Sequence, residues 1–116
     1  MKIKEIKELL DAELLCGEDS LETEVISACC SDMMSDVLAY VKDQGLLLTG
    51  LINTQVIRTA NMMDMLCVVF VRGKKPTEEM LELANECGIA VLATRKRAFE
   101  ASGILYSAGL RGKKKA

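Results

Sequence analysis

The chain has 116 residues, a formal net charge of −2 at pH 7 and no histidine. This length fits one domain with one hydrophobic core, and the near-neutral charge gives no reason to expect nucleic acid or an anionic membrane as a partner. The lack of histidine excludes Ser-His and Cys-His nucleophiles and His-containing zinc sites, so we expect no metal and no cofactor.

Three features of the sequence predict a cytoplasmic location. Residues 1–5 alternate charged and apolar side chains, unlike the hydrophobic region of a signal peptide. The longest uninterrupted apolar run, residues 65–71, is too short to cross a bilayer. The five cysteines are odd in number and form no Cys-x-x-Cys pair, which is typical of reduced thiols. We predict that Cys67 and Cys87 pack in the core.

The first part of the chain carries the weaker secondary-structure signals. Apolar residues at helical spacing predict a helix over residues 2–12. The short apolar segment 14–16 is a candidate edge strand, and the run at residues 25–29 predicts a buried strand. Ser31 or Asp32 is suitably placed to cap the helix that follows.

From residue 46 onward, strand and helix signals alternate regularly. Apolar runs without polar alternation, which indicate strands covered on both faces, occur at residues 46–49, 66–71 and 89–93. Between these runs Asn53 and Thr77 are helix N-cap candidates, and Gly88 is a natural helix end. Thr94 is predicted to open the final helix.

These elements predict a single compact α/β domain. Helix-length segments between buried strands imply right-handed βαβ units. We therefore expect a mostly parallel, four- to five-stranded sheet with helices on both faces, formed by residues 1–110. The basic end of the chain, residues 111–116, is predicted to be a disordered tail.

Small polar and charged side chains follow each predicted strand. In an open parallel sheet, ligands bind beyond the carboxyl ends of the strands, where these loops meet. The candidate ligand-binding residues are Ser31, Asp32, Ser35, Thr49, Gly50, Asn53, Arg72, Gly73, Lys74, Thr94 and Arg95. Each also has a purely structural interpretation as a helix cap, a turn glycine or a solvated cation, and both interpretations stay open.

The segment Thr-Arg-Lys-Arg at residues 94–97 places three cations at the predicted start of the last helix. The helix dipole disfavours each of them there by roughly 0.3–1 kcal/mol. They either point into solvent or, together with Arg72 and Lys74, face a phosphate or carboxylate.

Five segments of the sequence carry a family resemblance. They are residues 31–39 (SDMMSDVLA), 47–51 (LLTGL), 56–60 (VIRTA), 69–76 (VFVRGKKP) and 99–105 (FEASGIL). In this order and spacing the chain resembles the DRTGG domain family over about residues 10–110. The motif that names the family is not present as a string. Arg72-Gly73 occupies the position where many members have a Thr-Gly-Gly-like turn, and Thr49-Gly50 keeps a comparable turn one strand earlier.

The resemblance implies a fold like the amino-terminal domain of HPr kinase/phosphorylase and a regulatory or accessory role. Related domains lie beside the CBS regulatory domains of some family II pyrophosphatases. The chain resembles the free-standing clostridial type found near iron-hydrogenase-like genes, so an iron-hydrogenase-like or signalling protein is an implied partner.

Three functions compete at this point. The first is a non-catalytic regulatory or ligand-sensing module that binds a small anionic ligand, such as a nucleotide, at the carboxyl ends of the strands. The second is a structural protein that docks onto a redox or signalling partner without a small ligand. The third and least favoured is an enzyme with Asp32 or Asp36 as a base. We also expect a homodimer, since two-fold dimers are the commonest oligomers.

Overall fold

A computed structural model describes residues 1–40 and 45–112, without the side chain of Tyr40. A short 3-10 turn at Glu18–Ser20 follows the first strand. The helices and strands, in chain order, are α1 (Ile3–Leu9), β1 (Glu13–Cys16), β2 (Ala28–Cys30), α2 (Met34–Tyr40), β3 (Leu46–Thr49), α3 (Thr54–Met62), β4 (Cys67–Phe70), α4 (Glu78–Cys87), β5 (Ala90–Ala93) and α5 (Ala98–Ser107). Each helix of the described residues is too short or too polar to span a membrane.

The five strands form one sheet in the order β1-β5-β4-β3-β2. Strands β2 to β5 are parallel neighbours in sequence order, and β1 pairs antiparallel with β5 at the opposite edge. The predicted α/β fold with a mostly parallel sheet is therefore confirmed. The prediction that residues 66–71 form a doubly covered interior strand is also confirmed, because β4 lies between β3 and β5.

Alternate residues of the inner strands point into two separate core layers, as the two-residue period of a strand requires. One layer packs the sheet against α1 and α5 through Ile6, Val69 and Leu105. The other packs it against α2, α3 and α4 through Val68 and Ile57, among others. Fully burying a side chain of this size stabilises the fold by roughly 1.5–3 kcal/mol. The sheet is therefore packed on both faces, and the loops at the ends of its strands are anchored to buried residues.

Helix ends follow the predicted capping chemistry in the second half of the chain. The Asn53 side chain accepts a hydrogen bond from the Gln55 backbone N–H at 2.8 Å, and Thr77 Oγ1 accepts one from Met80 N–H at 3.2 Å. Gly88 ends α4 with a φ of 72°, in the left-handed region that favours glycine. These three predictions are confirmed.

Three predicted boundaries are wrong. The helix expected over residues 2–12 spans Ile3–Leu9, because the chain leaves the helical conformation before Asp11, which has a φ of +49°. The strand expected over residues 25–29 starts at Ala28, because Val25 lies earlier and is buried in the core beneath α1. The last helix starts at Ala98 and has Arg97 as its N-cap, so Thr94 does not open it.

The basic end of the chain lies partly outside the described residues, which stop at residue 112. Within them, the Arg111 carbonyl accepts a hydrogen bond from Ala28 N–H at 2.9 Å. The Arg111 guanidinium carbon lies 3.9 Å from the centre of the Tyr106 ring, in cation–π geometry.

Candidate functional site

The carboxyl ends of β2 to β5 meet at one edge of the sheet, here called the carboxyl edge. Because β1 is antiparallel to β5, its first residue, Glu13, lies at the same edge, opposite Ala93. The structure divides this edge into two halves. The Asp32 cluster consists of Asp32, Thr49, Gly50 and Arg72. The cationic cavity lies on the β5 side.

The Asp32 cluster is a hydrogen-bonded network around one carboxylate. Asp32 Oδ1 accepts hydrogen bonds from Thr49 Oγ1 at 2.9 Å and from Gly50 N–H at 2.8 Å. Asp32 Oδ2 accepts one from Arg72 Nη2 at 3.3 Å. A half-exposed ion pair such as Asp32–Arg72 is worth about 0–1 kcal/mol, whereas a hydrogen bond to a charged group contributes about 1.5–3 kcal/mol. The bond from the buried Gly50 amide is therefore the main structural contact of Asp32.

The pKa of Asp32 lies below its ordinary value of 3.8. The Gly50 backbone hydrogen bond is the largest cause, and Thr49 and Arg72 add to it against the opposing effect of desolvation. The carboxylate is therefore ionised and fully engaged at neutral pH. Asp32 does not cap α2, since its oxygens face β3 and β4.

Arg72 takes an unusual backbone conformation to reach this cluster. It has a φ of +62°, followed by Gly73 at +71°, in a turn closed by a Lys74 N–H to Val71 O bond of 3.2 Å. A left-handed conformation costs an ordinary residue roughly 1–2 kcal/mol. The guanidinium then lies over the Cα of Gly50, where a Cβ atom would overlap it. A larger residue at position 50 would displace the guanidinium of Arg72, whose side chain is partly exposed, and would so disturb its contact with Asp32.

The cationic cavity has a volume of about 490 Å³. Its lining residues are Leu10, Asp11, Glu13, Gly73, Lys74, Lys75, Ala93, Thr94, Arg95 and Lys96. Four cations therefore face two carboxylates. Lys75 pairs with Glu13 at 2.9 Å, and Lys96 lies 3.9 Å from Glu100. Within residues 1–40 and 45–112, Lys74 and Arg95 have no ion-pair partner.

Thr94 is a buried residue of the cavity lining, and its hydroxyl connects two segments of the chain. Its side chain is 3% exposed, and its hydroxyl donates a hydrogen bond to Leu10 O at 2.7 Å and accepts one from Lys96 N–H at 3.2 Å. The loop is tied to the preceding turn by bonds from Arg72 N–H to Lys96 O and from Gly73 N–H to Thr94 O. The two halves of the carboxyl edge are therefore joined through the backbone of Arg72 and Gly73.

The side chains of the remaining candidate residues make none of the contacts that define the two halves. Ser31 Oγ accepts a hydrogen bond from Met33 N–H at 3.0 Å, in a local turn before α2. Ser35 and Asp36 are exposed in the first turn of α2, and Asn53 caps α3. The structure therefore brings together eight of the eleven sequence candidates, in two groups of four.

Sequence reasoning missed two acids of the cavity. Asp11 and Glu13 reach the carboxyl edge only because β1 runs antiparallel to β5, a direction that the short apolar segment did not specify. Asp11 also falls within the helix predicted over residues 2–12, whereas α1 ends at Leu9. Asp11 has a φ of +49°, which aspartate tolerates better than most residues.

Four of the five cysteines lie in the core or at its margin, and Cys30 is exposed at the end of β2. Cys67 is fully buried, where desolvation raises the pKa of its thiol, and Cys87 is partly buried against the layer below α4. In the described part of the chain, no three His, Cys, Asp or Glu side chains are grouped closely enough to hold a metal ion.

The chain matches the model of a known domain family. The family model described as "DRTGG domain" matches residues 5–108, so the chain belongs to the DRTGG domain family. A comparison with curated protein sequences gives no match.

A solved structure has a similar fold. It is the crystal structure of the CBS and DRTGG domains of the regulatory region of Clostridium perfringens pyrophosphatase, complexed with the activator diadenosine tetraphosphate. The TM-score is 0.72 at 17% sequence identity, over 90% of this chain and 45% of that one. At this identity the similarity concerns the fold, and our chain spans less than half the length of that protein chain.

Proposed function

We propose that this chain is a non-catalytic regulatory module that binds a small anionic ligand, such as a nucleotide, in the cationic cavity. The observation that carries the proposal is the pair of cations, Lys74 and Arg95, that face the cavity without a carboxylate partner in the described residues. An anion bound between them would form the charge-assisted hydrogen bonds that both side chains lack.

The shape of the cavity supports this proposal. Its volume of about 490 Å³ falls within the roughly 300–1,000 Å³ typical of small-molecule sites. The loop that carries Arg95 is fixed at both ends, by the buried Thr94 hydroxyl and by the Arg72 N–H to Lys96 O bond of 2.8 Å. A preorganised loop loses little entropy on binding, which favours affinity.

The comparison with solved structures supports the nucleotide class. The similar structure is a regulatory region in complex with a nucleotide activator, and its DRTGG domain shares this fold. The engagement of Asp32 in three structural hydrogen bonds also favours binding over catalysis, since this carboxylate has no free role as a base.

Isothermal titration calorimetry tests the proposal with inorganic phosphate, ATP and succinate as ligands. We expect ATP to bind, and the Arg95→Ala and Lys74→Ala variants to lose about tenfold in affinity each, from the loss of one charge-assisted bond. The matched control is Arg58→Ala, which removes an exposed cation on α3 that lies outside the cavity. Equal affinity in Arg58→Ala and Arg95→Ala, or no binding of any anion at millimolar concentration, contradicts the proposal.

A second candidate function is docking onto a protein, and it is favoured by two exposed aromatic side chains. Phe99 is 93% exposed and Tyr106 is 60% exposed, seven residues apart and hence on one side of α5. The occupant would be a second copy in a homodimer, or an iron-hydrogenase-like or signalling partner. Sedimentation velocity of the wild type and of Phe99→Ser tests the homodimer. A dimer that the substitution weakens supports docking, and a monomer at high micromolar concentration contradicts the homodimer.

A further inference from the structure

The lining of the cationic cavity is chemically mixed. Besides the cations Lys74, Arg95 and Lys96 it includes the carboxylate of Asp11. Leu10, at the carboxyl end of α1, also lines the cavity, and a helix end of this kind carries negative partial charge. A simple anion would use only the cations, so Asp11 is available to a second group of the ligand.

Asp11 is the one acid of this cavity that has no ion-pair partner among the described residues, because Glu13 is paired with Lys75 at 2.9 Å. Its side chain is exposed at the cavity, and its backbone is fixed by the Asp11 N–H to Glu8 O bond of 3.2 Å. The Thr94 hydroxyl, bound to Leu10 O at 2.7 Å, holds this turn against the end of β5. A carboxylate held in a left-handed turn, in the same cavity as two cations, is available to accept hydrogen bonds from a ligand.

We infer that the cavity takes a phosphate ester with neighbouring hydroxyl groups, as in a ribonucleotide. The phosphate lies on Lys74 and Arg95, and the two oxygens of Asp11 accept hydrogen bonds from the vicinal hydroxyls. This inference rests on the proposed function and adds to it the orientation of the ligand and the role of Asp11. Thr94 is a positioning residue, since its hydroxyl holds both the turn that carries Asp11 and the loop that carries Arg95.

Calorimetric titrations of the full chain with AMP and 2′-deoxy-AMP test the inference. The wild type is expected to bind AMP about tenfold more tightly than 2′-deoxy-AMP, the effect of one hydrogen bond to a charged group. In Asp11→Asn the affinity for AMP falls by more than that for 2′-deoxy-AMP, because AMP loses two charge-assisted hydrogen bonds and the deoxy ligand loses only one. The two affinities therefore converge.

Asp64→Asn is the matched control. Asp64 is also exposed and has a φ of +53°, but it follows α3 and lies outside the cavity. Asparagine tolerates the same backbone conformation, so both variants should fold. The control is expected to keep the tenfold preference for AMP.

The alternative results separate this inference from the proposed function. Equal wild-type affinity for the two nucleotides, or a preference that persists in Asp11→Asn, overturns the inference and leaves anion binding in place. A uniform rise of both affinities in Asp11→Asn shows that Asp11 only repels phosphate, which also overturns it. Tighter binding of phosphoserine than of AMP would show that Asp11 binds an ammonium group and not vicinal hydroxyls. This result also overturns the inference. If neither AMP nor inorganic phosphate binds, both proposals are wrong.

Discussion

The two halves of the carboxyl edge contain similar residues but differ in how their charges are satisfied. In the Asp32 cluster, one carboxylate receives hydrogen bonds from a hydroxyl, an amide and a guanidinium, so the charges are matched within the chain. In the cationic cavity, Lys74 and Arg95 have no carboxylate partner among the described residues. The charges of the first half are therefore satisfied by its own residues, whereas those of the second half are satisfied only in part.

The largest expected effect on stability comes from a substitution that disrupts the Asp32 cluster. Asp32→Ala leaves the buried Gly50 N–H and the Thr49 hydroxyl without their acceptor, and we expect a loss of about 2 kcal/mol in the free energy of unfolding. Urea denaturation measures this loss. The control is Asp36→Ala in the first turn of α2, which should cost only about 0.3–1 kcal/mol through the helix dipole. An equal loss in both variants would show that the cluster is not a special structural element.

The second prediction concerns the structural residue of the cavity half. Thr94→Val keeps the shape of the side chain but leaves Leu10 O without its donor, and we expect a loss of about 1–2 kcal/mol. Thr59→Val is the matched control, because the Thr59 hydroxyl is fully buried on α3 and has no hydrogen-bond partner in the described residues. That variant should be neutral or more stable. Thermal unfolding of both variants decides the point, and a reversed order would contradict it.

The third prediction tests the contrast directly. Arg95→Ala should change the free energy of unfolding by less than about 0.5 kcal/mol, because an exposed cation without a partner contributes little to stability. A small gain is expected at low salt, where removing one of the four neighbouring cations relieves repulsion. If Arg95→Ala destabilises the protein as much as Asp32→Ala, the two halves are equally structural and the contrast fails.

The smallest effect is the dependence of stability on pH. The pKa of Asp32 is lowered in the folded state, so its contribution is present above its ordinary value of 3.8 and is lost as the pH falls through the lowered value. Asp32→Asn should therefore show a shallower loss of stability than the wild type between about pH 5 and pH 3. Urea titrations at several pH values measure the difference.

Glu22 provides the comparison for this measurement. Hydrogen bonds from Lys2 and then Lys4 lower the pKa of Glu22 to about 2, but all three side chains are well exposed. Added salt should suppress the pH dependence that Glu22→Gln removes, since exposed charges are screened. The Asp32 effect should persist, because it comes mainly from the Gly50 amide. Equal sensitivity to salt would contradict that assignment.

Most of the fold could be predicted from the sequence, because the informative signals are local. The apolar runs that became β3, β4 and β5 have no polar alternation, and Asn53 and Thr77 cap their helices with their own side chains. The direction of β1 could not be predicted, since the sequence of this short edge strand does not specify which strand it pairs with or in which direction.

The candidate residues could be placed at the right edge but not in the right groups. Thr94, followed by polar residues, has the pattern of a helix cap, yet its hydroxyl is taken by Leu10, which is 84 residues away in the sequence. Asp11 was missed for the same reason. Whether any of these residues binds a ligand stays a prediction.

The antiparallel pairing of β1 with β5 also has a kinetic consequence. Strands β2 to β5 join neighbours in sequence order, so they can assemble by relatively local steps, whereas β1 must close a loop of roughly 75 residues to reach β5. Asp11 and Glu13 thus join the other lining residues of the cavity only through this long-range pairing. A ligand that bridges Asp11 and Arg95 would bind only the closed form, so its occupancy would slow the detachment of α1 and β1. Hydrogen exchange at Leu14 would then report ligand binding.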